Sequence, residues 1–228
     1  MASKIRIEAA DAVTPPKRRR ARGDTVERYM DAAEALFIRF GYEGTSIRAI
    51  SARSKLNLGT VVYHWGTKEA LFRAVCERRF GAIGAEQMSR LRECEAAFKT
   101  LGPDNIEPIL RAFIEPTMHV RRGVKAAQIT RLLYGRALTD PSPVVLRITA
   151  DLFAGQSNLI RRLLKECLPE LDTDTFFWRW TCALGAFVFA QSFGYRVAYA
   201  ANLDDRNADW DHVTEEIVAF MVAGLRRG

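Results

Sequence analysis

Over residues 41–68 the chain carries four separate signals for ending or starting a helix. Gly41 suits the left-handed residue that closes one helix, and Thr45 or Ser46 can cap the next. Asn57 can cap a third, and Gly66-Thr67 stop that one and cap a fourth that starts at Lys68. The helices between these marks must be short, and no run nearby alternates as a strand would. Two short helices joined by the tight turn "KLN", after a longer first helix, form a helix-turn-helix unit.

The flanks agree with that reading. Asp24 or Thr25 is placed to cap a helix in which Val26, Met30, Ala33, Leu36, Phe37 and Phe40 recur at helical spacing. The second helix carries Ile47, Ile50 and Ser51 inward and ends near Ser54. Beyond residue 70 the pattern predicts longer helices over 68–99, 107–120, 124–138, 144–167, 176–200 and 210–227, with Pro116 kinking or ending its helix. The fold class is therefore all-α. A three-helix domain over 23–69 precedes a larger antiparallel helical domain over 70–228. Residues 1–22 end in "TPPKRRRARG", combine paired prolines with a charge run, and read as a disordered basic arm.

Charge narrows the partners. The chain has 228 residues and a net charge of +7, and the arm alone is at +5. Between Ser46 and Lys68 there are four cations, Arg48, Arg53, Lys55 and Lys68, and no acid, whereas acids return on both sides. A cationic strip with acidic flanks suits a polyanion, double-stranded DNA first. Cys76, Cys94, Cys167 and Cys182 lie far apart, as do His64, His119 and His212, so neither a disulfide scaffold nor a metal site is expected. No cofactor is expected, and no nucleophile, base and orienting group come together as an enzyme would need. The N-terminus has no apolar signal region. The longest uncharged apolar run, 181–195, is shorter than the roughly 18 residues of a membrane span. A cytoplasmic protein with no membrane partner is expected.

On a third helix over 58–65, spacing places Leu58, Val61, Val62 and Trp65 on one face, with the tryptophan and the valines to pack on Ile47, Ile50 and Phe37. Gly59, Thr60, Tyr63 and His64 fall on the other face, with Lys68 just beyond. A phenol, an imidazole and an ammonium beside an unhindered glycine can reach phosphate oxygens and base edges.

The run "AAEALFIRFGYEGTSIRAISARSKLNLGTVVYHWGTKEALF" resembles the N-terminal domain of TetR-family transcriptional regulators. The resemblance implies a regulator, most simply a repressor, that binds a palindromic operator as a homodimer and answers to a small-molecule effector. It implies phosphate contacts by Thr45, Ser46, Tyr63, His64 and Lys68, with Arg48 beside them, and base reading by Asn57, Leu58 and Thr60 next to Gly59. Two positions depart from the family pattern. Lys55 stands where the turn usually has glycine. Val62 stands where a phosphate-binding tyrosine is frequent, and Tyr63 follows it. The arginines Arg18, Arg19 and Arg20 of the arm suit a minor-groove or phosphate-tracking extension.

In the larger domain, Ala183, Ala186, Ala190 and Gly194 form a small-residue stripe on one helix. Ile217, Phe220 and Met221 lie on an apolar stripe of the last helix. By the resemblance these are the dimer interface; by spacing alone they equally close the monomer core. Apolar and polar effector contacts are expected from Phe113, Met118, Gln128, Arg131, Tyr134, Phe153, Phe177 and Trp180. "FWRWTCALGAF" with "ITRLLYGRAL" upstream is similar to PsrA-like regulators, which implies a fatty acid or acyl-coenzyme A as effector. The alternatives are a repressor of an efflux or catabolic operon that answers to drug-like or aromatic compounds, and a ligand-independent architectural DNA-binding protein. The last would have no cavity in its larger domain.

Overall fold

The computed structural model describes residues 17–101, 106–119, 124–203 and 209–226, which form nine α-helices and no strand. They are α1 (Lys17–Phe40), α2 (Ile47–Ser54), α3 (Leu58–His64), α4 (Lys68–Leu101), α5 (Ile106–Met118), α6 (Val124–Thr139), α7 (Pro143–Cys167), α8 (Thr173–Ala200) and α9 (Trp210–Arg226). The all-α expectation holds.

The first boundary does not. Helix α1 begins at Lys17, so the end of the expected disordered arm is helical, and no cap sits at Asp24 or Thr25. Lysine and arginine are good helix formers, and the charge run lets the amphipathic segment extend backward through Gly23. Residues 1–16 lie outside the described residues. So do the side chains of Arg18, Arg19 and Arg20.

The stops fall where the sequence places them. Gly41 is left-handed at φ 72°, and its N–H donates to Phe37 O at 2.9 Å, closing α1. Ser46 caps α2 by accepting from the Ala49 N–H at 3.1 Å. At the far end Lys55 is also left-handed, at φ 57° and ψ 37°. The paired bonds Lys55 N–H to Ala52 O and Leu56 N–H to Ser51 O complete a Schellman cap there. The missing glycine is therefore tolerated under strain, not avoided. Pro116 sits inside α5, which ends two residues later at Met118.

Helix α4, 34 residues and roughly 50 Å long, joins the two parts. Its first turns pack on α1 through Phe72, which meets Phe37 edge-on at 4.9 Å and Tyr42 at 5.4 Å. A buried carboxylate pins the same two helices. Glu34 on α1 accepts from Arg79 Nε at 2.5 Å and from Arg78 at 2.9 Å, while Arg78 also pairs with Glu27 and Asp31. Removing one member of such a cluster strands the others in low dielectric, so it fixes the α1–α4 angle firmly. Further along, α4 packs on α5 and α7, and α9 packs on α5 and α8. The apolar core runs without a break from Tyr29 on α1 to Leu225 on α9.

A left-handed lysine costs about 1–2 kcal/mol, against about 0.5–1 kcal/mol for the extra chain entropy of glycine. Lys55→Gly should accordingly stabilise the fold by about 0.5–1 kcal/mol, a rise of about 2 °C in Tm, whereas Lys55→Ala should give no rise. Thermal melting of both variants checks this.

Candidate nucleic-acid interface and effector cavity

Helices α2 and α3 are held from beneath by α1. Tyr29 lies fully buried with its hydroxyl 2.5 Å from Ser51 Oγ, and it donates to Ile47 O at 3.3 Å. Burial raises its phenol above the ordinary value, so it is neutral. Its ring lies 5.7 Å from Trp65, which follows α3. Arg28 donates to Ser54 O at 2.8 Å and ties off the C-terminal end of α2. Asn57 caps α3 by accepting from the Gly59 N–H at 2.9 Å.

On this base α3 presents more apolar surface than expected. Trp65 is partly buried against the core, but Leu58 is 42% exposed and Val62 62% exposed, so neither is core. The spacing rule fails because α3 is only seven residues long and touches the body through α2. Tyr63 is 72% exposed and sets its ring edge-on to His64 at 5.0 Å; His64 in turn leans on Trp65 at 5.4 Å. The side chain of Thr60 lies outside the described residues.

Two expected phosphate contacts face inward. The Thr45 side chain is 2% exposed and donates to Gly41 O at 2.7 Å. A hydroxyl so close behind a left-handed glycine satisfies the carbonyl that the turn leaves over. Lys68 donates to Tyr42 O at 3.0 Å and Thr45 O at 3.2 Å, lies 4.1 Å from the Tyr42 ring centre, and is 4.0 Å from Glu43. Its ammonium is thus committed to the α1–α2 turn. Ser46, Arg48, Asn57 and Gly59 are exposed, and so are Arg53 and Lys55, which belong to the same surface. Arg48, Arg53 and Lys55 form no ion pair with any described residue. By contrast Arg73 pairs with Asp151, Arg147 with Glu69 and Arg162 with Glu95. Three exposed cations without an acidic partner thus stand together on α2 and the turn after it.

A cavity of about 420 Å³ opens in the larger part, among α4, α5, α6, α7 and α8. Phe113, Tyr134, Phe153 and Trp180, four of the candidate effector contacts, line it. Four candidates do not. Met118 is buried elsewhere in the core, Gln128 and Phe177 are exposed, and Arg131 is buried with its guanidinium 3.9 Å above the Trp210 ring. Burial lowers the pKa of Arg131 and raises that of Tyr134, which stays a neutral donor. Sequence reasoning missed Gln87, Leu138, Leu146, Asn158, Arg161 and Leu184, which come from four helices with no common spacing. Gln87 donates to Phe113 O at 2.6 Å and to Thr117 Oγ1 at 3.1 Å.

The two parts also meet at the α6–α7 turn. The Tyr42 N–H donates to Asp140 Oδ2 at 3.1 Å, and Ser142 donates to Glu43 Oε1 at 2.9 Å.

On the last two helices the small-residue stripe lies inward. Ala183, Ile217 and Met221 are buried within the monomer, and Ala186, Ala190 and Gly194 are half-buried. The exposed face of α8 runs instead through Trp178, Cys182, Gly185 and Phe189, and α9 exposes Phe220. Helix α8 is apolar nearly all round, so periodicity could not tell its inner side from its outer one. Among the described residues no group of acids, histidines and cysteines could hold a metal, and no helix is long and apolar enough to cross a membrane.

Comparison with known proteins follows the same division. Residues 30–75 match the model of bacterial regulatory proteins of the tetR family, and residues 111–224 match that of tetracyclin repressor-like C-terminal domains. An HTH-type transcriptional repressor of Mycobacterium tuberculosis is 43% identical over 67 residues, 29% of this chain. The match spans only 33% of that relative's length. Among solved structures, the fatty acid degradation regulator FadR from Bacillus halodurans superposes with a TM-score of 0.58 at 14% identity, covering 90% of this chain and 97% of its own. FadR from Bacillus subtilis, solved in complex with stearoyl-CoA, gives a TM-score of 0.55 at 15% identity, over 87% and 98%.

The inward hydrogen bonds of Lys68 make a distinguishing prediction. Lys68→Met should lower Tm by loosening the α1–α2 turn, yet leave the slope of log affinity for duplex DNA against log salt unchanged. A phosphate contact would instead reduce that slope by about 0.9. Melting and anisotropy titrations at several salt concentrations separate the two.

Proposed function

Because the chain belongs to the TetR family of transcriptional regulators, we propose that it is a repressor that binds a palindromic operator as a homodimer and is released by a small acyl effector. The observation that carries the DNA side is the set of unpaired cations around α2 and α3, beside the exposed Leu58, Val62, Tyr63 and His64. Arg48, Ser46, Tyr63 and His64 contact phosphates, and Arg53 and Lys55 add to the same field. Asn57, Leu58, Gly59 and Thr60 meet base edges, where Leu58 and Val62 suit thymine methyl groups. The basic start of α1 with Arg18, Arg19 and Arg20 follows the flanking backbone.

Dimerisation uses the outward side of the last two helices. Trp178, Cys182, Gly185 and Phe189 recur at positions i, i+4, i+7 and i+11, and Phe220 stands beside them on α9 at 64% exposure. Gly185 has open space where a side chain would stand, so a second helix can approach closely. A two-fold axis there presents two α3 helices to successive major grooves.

On the effector side, the aromatic cavity favours a ligand-responsive regulator over an architectural protein. The fatty-acid regulators among the structural neighbours support an acyl compound over a drug-like one.

Arg48→Gln should weaken binding to specific and non-specific duplexes alike and reduce the salt slope by about 0.9. Mobility shift and anisotropy with DNA flanking the protein's own coding region provide the measurement. An unchanged slope would remove α2 from the interface. Phe220→Glu should convert the dimer to a monomer in sedimentation and lower operator affinity at least tenfold while leaving the fold intact, since Phe220 is exposed in the monomer.

A further inference from the structure

The cavity is polarised along its length, and from this we infer that the effector is an anionic acyl amphiphile held by its head at Arg161, with its tail against the α6–α7 turn. The inference rests on the acyl-effector reading above and specifies its chemistry and its orientation.

No residue lining the cavity is acidic, and Arg161 is the one cation among them. Arg161 is exposed at the rim, and its guanidinium donates to Asn158 Oδ1 at 2.9 Å with no carboxylate partner among the described residues. Its neighbour Arg162, by contrast, pairs with both Glu95 and Glu166. An arginine left unpaired at the mouth of an apolar cavity suits a carboxylate or phosphate. A cationic ligand would find no counter-charge there.

The wall repeats this bias. Tyr134 and Trp180 line the cavity at 5% and 7% exposure, yet neither the phenol nor the indole N–H donates to any described residue. Both N–H groups of Gln87 are in use on Phe113 O and Thr117 Oγ1. Donors left open on the cavity wall can bond a ligand oxygen.

Orientation follows from topology. Leu146 and Arg161 stand fifteen residues apart on α7, roughly 22 Å along the axis. Helix α8 returns after a short turn, so Trp180 falls toward the Arg161 end. The opposite end is Leu138, Leu146, Thr149 and Ala150, where the one hydroxyl, that of Thr149, already donates to the Val145 and Leu146 carbonyls. Leu138 and Leu146 flank Asp140 and Ser142, the two residues that hold the α1–α2 turn. A head at Arg161 therefore sends the tail to the contact between the two parts. A short chain can occupy the head site without reaching it.

Isothermal titration and operator release, followed by anisotropy, test this on the full-length protein. The probes are octanoate, hexadecanoate, hexadecanoyl-CoA, methyl hexadecanoate and hexadecyltrimethylammonium, each below its micelle threshold. Wild type should bind the anions and reject the cation, and octanoate should bind without releasing operator. Arg161→Gln should weaken the anions by about 10–100-fold and leave the methyl ester unchanged, which also shows that the variant is folded. A larger loss for the thioester makes the CoA phosphates the recognised anion; a larger loss for hexadecanoate makes it the carboxylate. Anion affinities unaffected by Arg161→Gln, or a cation bound as tightly as hexadecanoate, would overturn the head assignment while leaving an acyl effector in place. Octanoate that releases operator in proportion to its occupancy would overturn the tail assignment. If no acyl compound binds wild type at all, the acyl-effector reading itself fails.

Discussion

The turn between α1 and α2 is gripped from two sides, and the position of the whole DNA-facing unit depends on that grip. From one side Lys68, at the start of α4, donates to the carbonyls of Tyr42 and Thr45 and covers the Tyr42 ring. From the other, Asp140 and Ser142 bond Tyr42 N and Glu43. Only glycine fits at the centre. Gly41 is at φ 72°, and a Cβ there would lie 2.2 Å from the Arg136 guanidinium. The sequence offers Gly41 as a helix stop; the structure gives it a second duty, letting α6 approach the turn.

These two sides differ in strength. The α1–α4 side is reinforced by Glu34, buried between Arg78 and Arg79, and by the Phe37, Tyr42 and Phe72 rings. Leaving one of those charges buried without its partner would cost about 3–5 kcal/mol, so the cluster fixes how the two helices pair. The α6–α7 side has two partly buried hydrogen bonds, each contributing about 1 kcal/mol, beside the packing of α6 on α1. Helix α4 and the DNA-facing unit therefore form the more rigid pairing, and the contact with the α6–α7 turn is the one that yields first.

How much of this could be read in advance varied with the range of the signal. The caps at Ser46 and Asn57, the stop at Gly41 and the nine-helix order depend on neighbours in sequence, and they were legible. The bonds of Lys68 to the α1–α2 turn could not be read in advance, because its partners lie 23 and 26 residues away. Val62 looked like core because periodicity reports which residues share a face, not whether anything covers that face. Helix α8 shows the converse: with apolar residues all round, its small-residue stripe proved to be the buried side. The cavity was half legible. Its aromatics stand out in the sequence, but Gln87, Arg161 and Leu146 are brought to it by three-dimensional packing alone.

The weak contact also explains why a modest ligand suffices under the proposed function. To move a two-state equilibrium from about 1:99 to 99:1, an effector must prefer one state by about 5.5 kcal/mol. The contact at the α6–α7 turn combines two neutral or singly charged hydrogen bonds with the packing of α6 on α1, and no buried ion pair crosses it. If the Glu34 cluster lay at the α6–α7 turn instead, a ligand burying one acyl chain would have to break a desolvated ion pair before anything moved. Because the strong cluster lies between α1 and α4, opening the weak contact leaves α1, α2 and α3 intact and lets them swing as one body with the start of α4. Under the proposed function the recognition surface would keep its own shape, and only its spacing from the partner subunit's copy would change.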